Sequence, residues 1–240
     1  MNNLIAPHLL DIICLIISTG LFSFYHMFLF WKLKSNPIYS LYGATTLAKT
    51  DWVVNIMEDR RDILAVQTLR NSTMAATFLA STAILLAVGV LTLSGDADKL
   101  GATWHMLNLY GSTSHSTMTL KLIVILGDLF IAFFSFSFSI RLFSHVGFII
   151  NTPLSEGNYG TSITFVAMQL TKAGTYFYIG MRAYYFLVPL VFWLFGPLFM
   201  VISSIILIAI MFKIERTPKL DCSYLSKFYK LTACPHKTEK

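Results

Sequence analysis

Charge is what this sequence has least of. Asp, Glu, Lys and Arg make up 12% of its 240 residues, about half the share of a soluble domain. So few charges cannot cover a water-facing surface, which excludes an ordinary soluble domain and turns part of the exterior toward lipid. Motifs are missing too. There is no Gly-x-Gly-x-x-Gly, no Gly-Lys-Ser/Thr phosphate loop, no Gly-x-Ser-x-Gly elbow and no His-Glu-x-x-His, so no catalytic residue, cofactor or metal is assigned. The three cysteines and six histidines show no zinc or haem spacing. His105 and His115 share one polar stretch, and a solvated loop accounts for them. A basic, aromatic-interleaved soluble face is absent, which argues against a nucleic-acid partner. No Pro- or Ser-rich linker, repeat or low-complexity tract divides the chain. It reads as one membrane domain over residues 1–212, followed by a basic polar tail at 213–240.

What is present is apolar: 55% of all residues. The fold class expected is all-α, a polytopic transmembrane helical bundle of about four spans plus amphipathic interfacial helices. The spans fall near residues 12–31, 72–94, 122–140 and 185–212, each long enough for a hydrocarbon layer of about 30 Å. The first is a retained helix and not a signal peptide. No Lys or Arg precedes it, and it ends in Trp31-Lys32-Leu33-Lys34, an interfacial aromatic with a basic stop. In the second, Ala76, Ala80, Ala83 and Ala87 line one helical face, where small side chains let two backbones approach. Pro189 and Gly196-Pro197 predict a kink in the fourth.

Two stretches read as helices on the membrane surface. In residues 47–70, Trp52, Val53, Ile56, Met57, Ile63 and Leu64 recur at helical spacing beside a charged run. Residues 162–183 carry only Lys172 and Arg182 as charges, and a short fifth span or re-entrant segment is their alternative. Lys and Arg crowd the connection after the first span, which puts the amino terminus outside and the protein in a bacterial inner membrane. Four spans would then leave the tail outside, against its own Lys213, Arg216, Lys219, Lys227 and Lys230; a fifth would remove the conflict. An external tail would permit a Cys222–Cys234 disulfide.

Asp128 is the most informative single residue, because a carboxylate within a span must be protonated, paired or wet. Lys121, Ser135 and Ser139 lie on its face at intervals of seven, seven and eleven residues. Together they form a polar stripe suited either to an ion or ligand pathway or to a buried hydrogen-bonded pairing. Arg141, His145 and Arg182 fall near predicted helix ends, where they snorkel singly or together form an anion or headgroup pocket.

Three stretches carry a family resemblance. They are residues 57–72 with Ala65-Val66-Gln67-Thr68-Leu69-Arg70-Asn71, then Phe134-Ser135-Phe136-Ser137 through Ile140-Arg141 and His145-Val146-Gly147-Phe148, then Gly180-Met181-Arg182-Ala183-Tyr184-Tyr185 through Trp193-Leu194-Phe195-Gly196-Pro197. Over about residues 10 to 212 the chain resembles the bacterial and plant membrane proteins known as domain of unknown function 599. That resemblance implies a membrane-embedded helical fold and no established activity. It singles out Gln67, Arg70, Asn71, Arg141, His145 and Arg182 as one polar cluster if they converge. The function expected is non-enzymatic: a structural or accessory subunit of a membrane assembly, with the bilayer and a membrane protein or a second copy as partners. A small transporter or channel using Asp128 is the main rival, and an intramembrane lipid- or quinone-linked enzyme the weaker one.

Overall fold

A computed structural model describes residues 2–35, 37–59, 62–95, 114–152 and 162–216. The tail cysteines, His105 and His236 lie outside the described residues. Within them the chain forms six α-helices: α1 Asn2–Ser35, α2 Leu41–Asp59, α3 Asp62–Ser94, α4 His115–Ile149, α5 Ile163–Phe195 and α6 Pro197–Glu215. A 3-10 turn, Pro37–Tyr39, leads into α2. All but α2 are long and apolar enough to cross a membrane.

The chain is therefore an all-α membrane bundle with five candidate spans, not four. The stretch 162–183, expected on the membrane surface, is the first part of the continuous helix α5. Its Arg182 can enter the bundle because Glu215, just beyond the last apolar block, meets it there. The block expected at 185–212 divides at Gly196, whose φ of 154° is open to glycine and strained for other residues. Pro197 then starts α6, where its missing N–H costs no helical bond. Pro189 lies inside α5 without ending it. Arg182 and Glu215 meet although they flank this break, so α6 runs back antiparallel along α5.

The surface helix expected over 47–70 is also two elements, since α2 ends at Asp59 and α3 starts at Asp62. The break resets the helical register. Val53, Ile56 and Met57 are buried as their spacing implies, but Ile63 and Leu64 point outward while Ala65 and Leu69 take the inner face.

The packing core is α3, α4 and α5, with α6 against α5 and α1 against α6. Ala76, Ala80, Ala83 and Ala87 are all buried. Ala80 and Ala83 pack with Ala132 and Phe136 of α4 and Ala183 of α5, so the small-residue stripe is used inside the chain. Close approach recurs at Gly180, where a Cβ would stand 2.8 Å from the Phe136 ring. The outer faces carry exposed Ile16, Phe24, Phe78, Leu85, Ile131 and Ile205, a surface suited to lipid.

Helices α3, α4 and α5 have 33, 35 and 33 residues. At 1.5 Å per residue they are roughly 50 Å long, well over the ~30 Å apolar layer. The excess gathers at one end, where α2 joins the start of α3, the end of α4 and the start of α5. Val53, Ile56, Leu69, Phe143, Val146 and Val166 belong to the core there. A five-helix membrane slab thus continues into a four-helix extension.

Candidate functional site

Buried polar groups concentrate at two levels of this bundle. At the end away from the extension, Lys121 Nζ of α4 lies 3.2 Å from Asp11 Oδ1 of α1. Trp193 of α5 donates its indole N–H to the same oxygen at 3.0 Å. The Asp11 and Lys121 side chains are only 1% and 2% exposed. A buried charge needs a paired, hydrogen-bonded partner. One carboxylate here serves a cation and an indole from two other helices.

Nearer the extension is a second web. Arg182 divides its planar fork, one terminal nitrogen meeting His26 and the other Glu215. Tyr25 donates to the other Glu215 oxygen at 2.7 Å. Both Tyr178 and Tyr25 present rings to the guanidinium, the Tyr178 centroid at 4.3 Å. His26 Nδ1 is 2.7 Å from the Phe22 carbonyl. That ring nitrogen therefore carries the proton and Nε2 accepts from Arg182, which defines a neutral tautomer. Arg182 Nε is buried without a partner. The web ties α1, α5 and α6 together and balances one cation with one anion.

Three cavities complete the description. One of about 660 Å³ lies among α2, α3, α4 and α5, lined by Thr45, Lys49, Trp52, Thr68, Asn71, Ser72, Phe143 and Gly174 among others. A second, about 420 Å³, lies between α2, α5 and α6 and shares Thr45, Lys49, Gly174 and Phe177 with the first. It reaches Arg182, Tyr185, Leu207, Met211 and Glu215. The third, about 400 Å³, is a basic groove between α4 and α5 with Arg141, His145, Gln169 and Lys172.

The sequence-derived residues distribute over these places. Lys121 of the polar stripe is engaged by Asp11, and Ser139 donates to the Ala173 carbonyl at 2.9 Å. Ser135 is buried. Asp128 has Oδ2 buried without a hydrogen-bond partner, and none of these three cavities is lined by it. Of the motif residues, Arg141 and His145 share the basic groove, Asn71 lines the 660 Å³ cavity, and Gln67 and Arg70 are exposed on α3. Arg182 belongs to the Glu215 web. It lies ten residues beyond Lys172 on α5, roughly 15 Å along the axis, so these residues do not form one site.

Asp11, Glu215, His26 and Lys49 are functional candidates that the sequence reading passed over. Asp11 directly precedes the first apolar block and Glu215 closely follows the last. An acid abutting a span, with a base inside another span, is the signal that marks both. Among the described residues no group of three or more His, Cys, Asp or Glu gathers as metal ligands would. A family described as "Protein of unknown function, DUF599" matches residues 13–220. No curated protein and no solved structure matches the chain.

Proposed function

The chain belongs to the DUF599 family, and from that premise we propose that it is a non-enzymatic structural or accessory subunit of a membrane assembly. The observation that carries this reading is the surface of the four-helix extension. Ile63 is 77% exposed and Phe148 81% exposed there, near Gln67, Arg70, Arg141 and His145 in sequence. Both sit at the ends of α3 and α4 beside the core shared with α2, and large exposed apolar side chains at the end of a bundle are typical of protein contacts. A partner or a second copy would cover them. Photo-crosslinking from positions 63 and 148, with mass measurement in mild detergent, tests this. Crosslinks to one defined species and a mass above the monomer are expected, and Phe148→Glu should abolish both. A lone monomer without crosslinks at every concentration removes the reading.

We further infer an amino terminus outside the cytoplasm and a cytoplasmic tail in a bacterial inner membrane. Lys32 and Arg216 support this, because both approach the Tyr39 ring, at 5.6 and 6.0 Å. The basic ends of α1 and α6 therefore share one side, and five spans remove the conflict over the tail.

A second reading, a small transporter or channel, is favoured by one observation, the orphaned Asp128 oxygen. Intramembrane acids of this kind mark proton or ion relays. Reconstituted flux lost in Asp128→Asn is its expected result; flux that persists unchanged takes Asp128 out of the mechanism.

A further inference from the structure

Lys49 is a cation without a counter-ion among the described residues. It lies on α2, half-buried, at the junction of the 660 and 420 Å³ cavities. Its ammonium rests against the bare backbone of Gly174, where any Cβ would collide with it. Among the described residues it makes no ion pair or hydrogen bond, and burial pushes its pKa down. An unpaired ammonium in an apolar setting loses hydration without compensation. Among the described residues the only carboxylate lining either cavity is Glu215, and that one is held by Arg182 and Tyr25. Together the linings of the two cavities therefore keep one net positive charge among the described residues.

Its other chemistry is divided by depth. Thr68, Asn71 and Ser72 place hydroxyl and amide groups along the wall of the larger cavity. On the other side the wall is α6, with Leu207, Ile210, Met211 and Ile214. From position 215 back to 207 this wall descends roughly 12 Å into the span. Leu41, Tyr185, Ile210 and Ile214 are exposed, so the smaller cavity opens toward lipid. The Ser72 hydroxyl donates to the Thr68 carbonyl at 3.0 Å, so the Asn71 amide and the Lys49 ammonium, above an apolar slot, are what match an amphiphile with a negatively charged head. A free inorganic anion would use only the polar half. A basic pocket between spans at a membrane face is a recurrent setting for anionic headgroups, and lysine meets phosphate as a point charge.

We propose that the cavities meeting at Lys49 bind an anionic phospholipid, its phosphate on the Lys49 ammonium with Asn71 alongside, and an acyl chain along α6. The full chain in detergent, titrated with phosphatidylglycerol and followed by native mass spectrometry, tests this. Phosphatidylglycerol should bind and raise the melting temperature, whereas phosphatidylcholine and inorganic phosphate should do neither. Loss of a charge-assisted hydrogen bond in Lys49→Met should weaken binding by about tenfold or more, and Lys49→Arg should retain it. Ile210→Trp, on the lipid-exposed rim, keeps the charge but fills the mouth, and should weaken binding as well. Equal binding of phosphatidylcholine, or stabilisation by phosphate alone, overturns the proposal. So does phosphatidylglycerol affinity that survives both Lys49→Met and Ile210→Trp.

Discussion

Lys121→Met is expected to destabilise the folded protein by about 3–5 kcal/mol, the usual consequence of removing one partner of a buried ion pair. The side chain is 2% exposed, and its ammonium faces Asp11, which is itself 1% exposed. Removing the cation leaves a carboxylate buried between α1, α4 and α5 without its ion-pair partner. Asp11→Leu should cost a similar amount, since the stranded ammonium then loses its anion and the indole its acceptor. The double replacement Asp11→Leu with Lys121→Met should be milder than either single one, because no lone charge is left to bury. Unfolding of all three variants in one detergent, followed by helical signal, measures this. Single variants that unfold with the wild type would mean that water reaches the pair.

Glu215→Ala is the second large effect, about 3 kcal/mol or more by the same reasoning. Here the stranded group is Arg182, which also loses its link through Glu215 to Tyr25. The end of α6 should come loose and become sensitive to protease near Arg216. Arg182→Lys separates charge from shape. A lysine keeps the cation but cannot meet His26 and Glu215 as a planar fork, so a smaller loss of about 1–2 kcal/mol is expected. Identical melting of Glu215→Ala and wild type would rule out the web as the fastening of α6.

The Arg182–Glu215 pair shows why the span count from sequence is one short. Lys172 and Arg182 give the stretch 162–183 the look of a surface helix, although it is the first part of α5. A charge enters a bundle when an opposite charge waits there. That partner is remote in sequence: Lys121 of α4 meets Asp11 of α1, and Arg182 and Glu215 are 33 residues apart. The polar stripe shows the same limit. Lys121 and Ser139 share a helical face with Asp128, but Asp11 and the Ala173 carbonyl engage them.

The alanine stripe is the opposite case. Its spacing is local, and a helix converts spacing into a face without reference to the rest of the chain. What packs on that face is not local. Association with another chain and packing inside this one need the same small residues, and here α4 and α5 take the face.

By itself, then, the sequence determined the membrane setting, the all-α class, the family and the helical faces, because each follows from composition or from periodicity within one segment. The scarcity of charge, 12% of residues, is the clearest of these signals. Only the tertiary structure decided which charges cancel, where α5 gives way to α6, and that Lys49 has no counter-ion among the described residues. Those outcomes depend on distances between segments far apart in the chain, which no local pattern encodes.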